Sequence, residues 1–128
     1  MLFRSLLAEL GVVDWSDPMY VATVERIGKT LCRGEFLARY AEADDFGMPQ
    51  VAFSVCTFWY INALWGSGEH AQARALFEEM LRCRNGLGLM SEDLASDGEL
   101  WGNYPQTYSM VGIVTCAMRL SRSWEDAL

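Results

Sequence analysis

Hydrophobic positions along this chain fall mostly at helical spacing, with little sustained strand alternation. Asp17-Pro18 reads as a helix start, an N-cap followed by proline at the first helical position. From there Tyr20, Val24, Ile27 and Leu31 recur on one side, with Glu25, Arg26 and Lys29 on the other, which predicts an amphipathic helix over 18–32. Residues 51–65 differ in kind. They are apolar on all sides, the mark of a helix surrounded by protein, and Gly66-Ser67-Gly68 ends the run. A third helix over 69–84 returns to a one-sided stripe of Ala73, Leu76, Phe77, Met80 and Leu81, with Glu78 placed to pair with Arg82. A fourth opens at Pro105, runs to Leu120 and is again almost wholly apolar after Ser109.

One-sided and all-round helices therefore alternate. Such alternation predicts an all-α toroid of helical hairpins, with inner helices buried inside an outer amphipathic ring. The hairpin unit recurs at about 50 residues, longer than the ~34-residue helical pairs that stack into solenoids. Inner helices turn tightly into outer ones, whereas outer helices reach the next inner one through two long loops, 33–50 and 85–104. Loops of that length are usually functional or disordered. Tyr40, Phe46, Trp101 and Tyr104 argue against disorder. Both loops precede an inner helix, so both are expected over the N-termini of the inner helices, at one end of the molecule.

Composition narrows the function classes. A chain of 128 residues fits one domain and can bury a core. A net charge of −7 with no Lys/Arg cluster argues against nucleic-acid and anionic-membrane partners. The apolar run at 51–65 is shorter than the ~20 residues of a membrane span and contains Ser54, Thr57 and Asn62. The start, Met1-Leu-Phe-Arg-Ser, lacks the features of a secretory signal. Cys32, Cys56, Cys83 and Cys116 form no CxxC pair and read as free buried thiols of a reducing compartment. The expectation is a soluble, cytoplasmic protein.

The two loops concentrate carboxylates and aromatics: Arg39-Tyr40-Ala-Glu42-Ala-Asp44-Asp45-Phe46 in one, Ser91-Glu92-Asp93 and Asp97 to Tyr104 in the other. Sugar hydrolysis needs such a set, because one carboxyl protonates the leaving oxygen, another activates water or attacks, and flat rings stack on pyranose faces. Taken alone the signal is weak, since acidic loops are usually just solvated. Other chemistries fare worse. His70, the only histidine, lies on an exposed helix with no ligand cluster around it, so neither a metal site nor a Ser or Cys triad is expected. No phosphate loop is present, and no cofactor is expected.

Three segments resemble the C-terminal half of the catalytic domain of glycoside hydrolase family 15, which includes glucoamylases, glucodextranases and some trehalases. They are Arg39-Tyr40-Ala-Glu42-Ala-Asp44, then Cys56 to Leu64, then Leu87 to Asp93 followed by Gly98-Glu-Leu-Trp-Gly-Asn-Tyr-Pro-Gln106. The resemblance runs from Leu7 to Trp124, and the Ser-Glu-Asp segment with its sequel is its most specific part. It implies an (α/α)6 barrel, of which residues 1–128 would be the C-terminal portion of a single catalytic domain. It also implies an inverting, exo-acting release of glucose from α-glucans. By the same resemblance Glu92 is the general base, Arg39 and Asp44 hold sugar hydroxyls, Asp93 is a polar neighbour of the base, and Tyr40 and Trp101 wall the pocket.

The family's general acid lies upstream of this stretch, so the chain is expected to carry the base alone, to hold fewer than half of the barrel's hairpins and to be inactive by itself. Exposed flanks of apolar helices would then drive self-association. Three other readings compete. A trehalase would share the base and the pocket loop. A non-catalytic helical interaction module is suggested by the likeness of residues 69–84 to a tetratricopeptide helix, although the period is wrong and the acidic loops would have no purpose. A regulatory relative would have kept the barrel and lost catalysis.

Overall fold

The computed structural model describes residues 2–43, 45 and 47–121. A short 3₁₀ turn at Leu2–Leu6 precedes four α-helices: α1 (Pro18–Leu31), α2 (Ser54–Gly66), α3 (His70–Arg82) and α4 (Thr107–Leu120). Asp17 caps α1 as expected, its Oδ1 accepting from Met19 N (2.8 Å) and Tyr20 N (3.2 Å) with Pro18 at the first position. Tyr20, Val24, Ile27 and Leu31 are the residues that α1 buries.

Helix α2 is the centre of the core. Ten of its thirteen residues are buried, Phe58, Ile61 and Ala63 completely. It packs against α1, α3, α4 and the N-terminal turn. Its end is a Schellman motif: Glu69 N donates to Leu64 O (2.8 Å) and Gly68 N to Trp65 O (3.1 Å), with Gly68 at φ 96°. The turn sends α3 back along α2, burying Ala73, Phe77 and Met80. Arg82 pairs with Glu79 rather than with Glu78. Three-residue neighbours also share a helix face, and Glu79 lies on the half-buried flank of α3 while Glu78 is exposed.

Two expectations need correction. The first is the all-α reading, because each of the long loops carries two-residue strands. In the first, β1 (Cys32–Arg33) and β2 (Phe36–Leu37) make a hairpin. In the second, β4 (Asp93–Leu94) and β5 (Leu100–Trp101) are antiparallel neighbours, and β3 (Ala52–Phe53) adds to β4 in the order β3-β4-β5. This addition delays the start of α2 to Ser54. Likewise α4 starts at Thr107, not Pro105, because the backbone of Gln106 is extended (φ −95°, ψ 127°), its N–H donating to Met90 O (3.0 Å).

The second correction concerns α4. It buries only Ser109, Gly112, Cys116 and Leu120, the stripe facing α2, while Tyr108, Val111, Val114 and Met118 are more than half exposed. Its apolar character is two-sided, but the described residues cover one side. The cysteines are all free, as expected, but a further expectation, that all four are buried, needs correction: Cys56 and Cys116 are buried, Cys83 is half-buried, and Cys32 is exposed where the chain leaves α1. Among the described residues no helix is long and apolar enough to cross a membrane.

Candidate active site

Both loops meet at the N-terminal ends of α2 and α4. Three consecutive carbonyls of the second loop are stapled there: Met90 O accepts from Gln106 N (3.0 Å), Ser91 O from the Ser109 hydroxyl (2.8 Å), and Glu92 O from Ser54 N (2.8 Å). The first turn of a helix has backbone N–H groups without intrahelical partners. At α2 the Glu92 carbonyl supplies one partner, in place of a side-chain cap. The segment holding Glu92 is therefore positioned by the two apolar helices themselves. Since α2 and α4 both start at this loop and touch again at Phe58 and Gly112, they run in the same direction.

The small sheet sorts its side chains into two rows. Directly opposed residues point to the same face. One row, Ala52, Leu94 and Leu100, faces the core, the first two fully buried. The other row is Phe53, Asp93 and Trp101. Arg39 joins it, its guanidinium 5.7 Å from the centre of the Phe53 ring. Arg39 is placed by the residues just before it: Leu37 N donates to Thr57 Oγ1 of α2 (3.0 Å) and Ala38 N to Leu31 O (2.9 Å). Beside the row lies a groove of about 340 Å³ lined by Phe3, Arg39, Phe53, Val55, Cys56, Trp59 and Tyr108.

Glu92 stands next to this row. Its Oε2 accepts from the side chain of Asn103 (2.7 Å) and from Asn103 N (3.1 Å). Gly102, at φ 77°, approaches both carboxylates; a Cβ there would lie 3.1 Å from Glu92 Oε2 and 3.1 Å from Asp93 Oδ2. Burial, and then the charge of Glu92, push the Asp93 carboxyl up to about 6. Asp93 thus holds its proton into the mildly acidic range. Trp101 is 56% exposed, and its indole N–H donates to Glu99 Oε2 (3.2 Å), which holds the ring in place as a flat surface. Burial pushes the Cys56 thiol up to about 12, which leaves it inert as a nucleophile.

Of the residues singled out from the sequence, the structure gathers Arg39, Glu92, Asp93 and Trp101. Among the described ones only Arg39 lines the groove; Glu92, Asp93, Trp101 and the half-buried Tyr40 are not among its lining residues. Asp44 lies outside the described residues. Phe53, Gly102, Asn103 and Tyr108 are additions that only the strand pairing and the helix ends reveal. His70 stacks on Trp65 (4.1 Å between ring centres), and no group of three or more potential metal ligands occurs among the described residues.

The chain is similar to trehalases. A trehalase of Thermoplasma volcanium is 34% identical over 116 residues, which is 89% of this chain and 19% of that protein. A trehalase of Thermoplasma acidophilum is 32% identical, covering 90% of this chain and 20% of its own length. One of Mycolicibacterium smegmatis is 30% identical, covering 87% and 17%. The chain thus spans about a fifth of the length of the curated relatives it matches. No protein-family model matches it, and no solved structure matches it.

Proposed function

We propose that this chain forms the general-base side of a glycoside hydrolase site of the trehalase kind. Glu92 takes a proton from the water that attacks the anomeric carbon, with inversion. A carboxylic acid about 6.5–9.5 Å away, as inverting chemistry requires, protonates the departing oxygen. That acid comes from a segment outside this chain, in an (α/α)6 barrel of which α1–α4 are a part. Arg39, Asp93 and Asp44 hold sugar hydroxyls, and Trp101, Phe53 and Tyr40 offer flat faces to the ring.

The observation that carries the reading is the row Phe53–Asp93–Trp101 with Arg39 above it, set beside a fixed Glu92. It combines an aromatic floor, a charged donor and two carboxyls in one place. The relatives carry the name trehalase, so a glucosyl–glucose disaccharide is favoured here over the α-glucan that the family resemblance implies. A glucoamylase-type activity on α-glucans is the second reading, supported by the sequence resemblance.

The test is NMR of the purified chain with trehalose and, separately, maltotriose. Trehalose should shift the amide signals of Asp93 and Trp101 without releasing glucose. Shifts with maltotriose alone would favour the α-glucan, and no shift with either sugar would remove the reading. Glucose release would place an acid within this chain. In the active protein, inversion of trehalose gives one α- and one β-glucose at first, whereas α-glucose alone would exclude Glu92 as the base of an inverting enzyme. Glu92→Gln should abolish turnover and leave folding unchanged.

A further inference from the structure

The Glu92 carboxylate is held through one oxygen. Asn103 donates to Oε2 twice, from Nδ2 at 2.7 Å and from its backbone N–H at 3.1 Å. The Glu92 main chain is fixed as well, its N–H on Asn103 O (2.9 Å) and its carbonyl under Ser54 N (2.8 Å). Continuing the β4–β5 register from Asp93↔Trp101 would set Glu92 against Gly102, yet Asn103 is the residue that meets it. Gly102, in the left-handed region, is the inserted residue, and a bulge of this kind re-aims the side chain that follows. Asn103 is thereby turned toward the carboxylate.

We propose that Asn103 is the positioning residue of Glu92, its two N–H donors clamping Oε2 so that Oε1 is the oxygen that receives the proton from water. This rests on the reading of Glu92 as the base. The side-chain bond is not needed to hold the loop, because the single backbone bond from Glu92 N to Asn103 O already joins the two segments. Its effect falls on the carboxylate. A carboxylate has two equivalent oxygens and turns freely in water; two donors on one oxygen make them inequivalent and fix the direction of the other's lone pairs. Asparagine suits the place by size and charge. Aspartate would oppose two anions, and glutamine would carry the donor a methylene too far.

The experiment compares the chain with its Asn103→Ala and Asn103→Asp variants, first by relaxation of the Glu92 Cγ methylene in ¹³C-labelled protein. Both variants should free Glu92, Asn103→Asp the more, while the Cγ of Glu99 in the same loop stays as it was. Amide signals of Ala95 and Trp101 report whether the sheet has survived, and the near-isosteric aspartate variant serves if the alanine one loses it. A Glu92 as ordered in both variants as in the parent overturns the proposal. This measurement needs no turnover, so it tests the clamp apart from the proposed activity. In protein that hydrolyses trehalose, Asn103→Ala should lower kcat by roughly 10- to 100-fold, the scale of a small misplacement, with KM within about twofold. Loss confined to KM, or a freed Glu92 with unchanged kcat, would overturn the positioning role; the second result would also remove Glu92 as the base.

Discussion

Helices α2 and α4 begin at the same loop, run the same way and are the two most apolar segments of the chain, yet they live in different surroundings. α2 is buried nearly all round, whereas α4 is buried on the one stripe that meets α2 and leaves Tyr108, Val111, Val114 and Met118 in the open. The contrast separates two things that hydrophobicity alone confounds. An apolar residue records that a surface is meant to be covered; only the fold says what covers it. For α2 the described residues supply the cover, and for α4 they supply half of it.

The comparison breaks most visibly at Phe58. This ring is 0% exposed, meets Phe77 edge-on at 6.5 Å and lies against Gly112 of α4. Phe58→Ala should cost about 3–5 kcal/mol, the sum of lost transfer energy and the cavity left behind. Urea unfolding followed by circular dichroism measures it. A loss below about 1 kcal/mol would mean that α2 is not the centre of the core.

Gly112→Ala tests the seam between the two helices. On an exposed helix this change gains about 1 kcal/mol of helix propensity. Here the added Cβ would sit 2.3 Å from Phe58 Cδ2 and 2.6 Å from its Cγ, inside a ring that has nowhere to go. Overpacking of this sort costs about 1–3 kcal/mol, so after the propensity gain a net loss of up to about 2 kcal/mol is expected. A stabilised variant would show that α4 does not pack on α2 as described.

At the shared N-terminal end the same contrast reaches the chemistry through Asp93. Its carboxyl is raised to about 6 by burial and by Glu92, against an ordinary value of 3.8. Between those values the folded state binds more protons than the unfolded chain, so stability falls as pH rises from about 4 to about 6 and then levels off. Asp93→Asn removes that slope. The variant should gain on the parent steadily over this window, read as the difference between their urea midpoints at each pH. A constant difference from pH 4 to 7 would mean that Asp93 is not desolvated.

Much of the helical frame could be read in advance. Asp17-Pro18 carries its own cap, and Gly66-Ser67-Gly68 supplies the residue with positive φ that a Schellman ending needs, so both signals are local. The two long loops could be located over the inner helices from the order of elements alone. The strands could not be foreseen, since two residues are too few to show alternation and their pairing joins Phe53 to Asp93 across 40 positions of sequence. For the same reason Phe53 escaped notice while Trp101 did not. Asn103 lies in the Gly98–Gln106 segment, but its role depends on a bulge at Gly102 that changes which residue meets Glu92. An open apolar flank is expected from the missing hairpins, but composition does not say that α4 carries it and α2 does not, because a helix apolar on both sides looks the same whether one or both are covered.

The smallest effect on stability, and the sharpest use of the comparison, comes from that open face. Val111→Lys with Met118→Lys alters side chains that are 51% and 73% exposed, so the folded monomer should keep its stability within about 0.5 kcal/mol. Association should respond much more. A contiguous apolar stripe on a surface helix is an interaction liability, and the parent chain is expected to self-associate at concentrations where the double variant sediments as a monomer. Charge repulsion does not offer a competing explanation in the usual direction, because two added lysines take the net charge from −7 to −5 and so weaken repulsion between copies. If the variant is monomeric despite the lower net charge, the lost contact is the apolar one. A parent that sediments as a monomer at every concentration would show that the stripe does not drive association, and a variant that unfolds easily would show that it is packed within the chain after all.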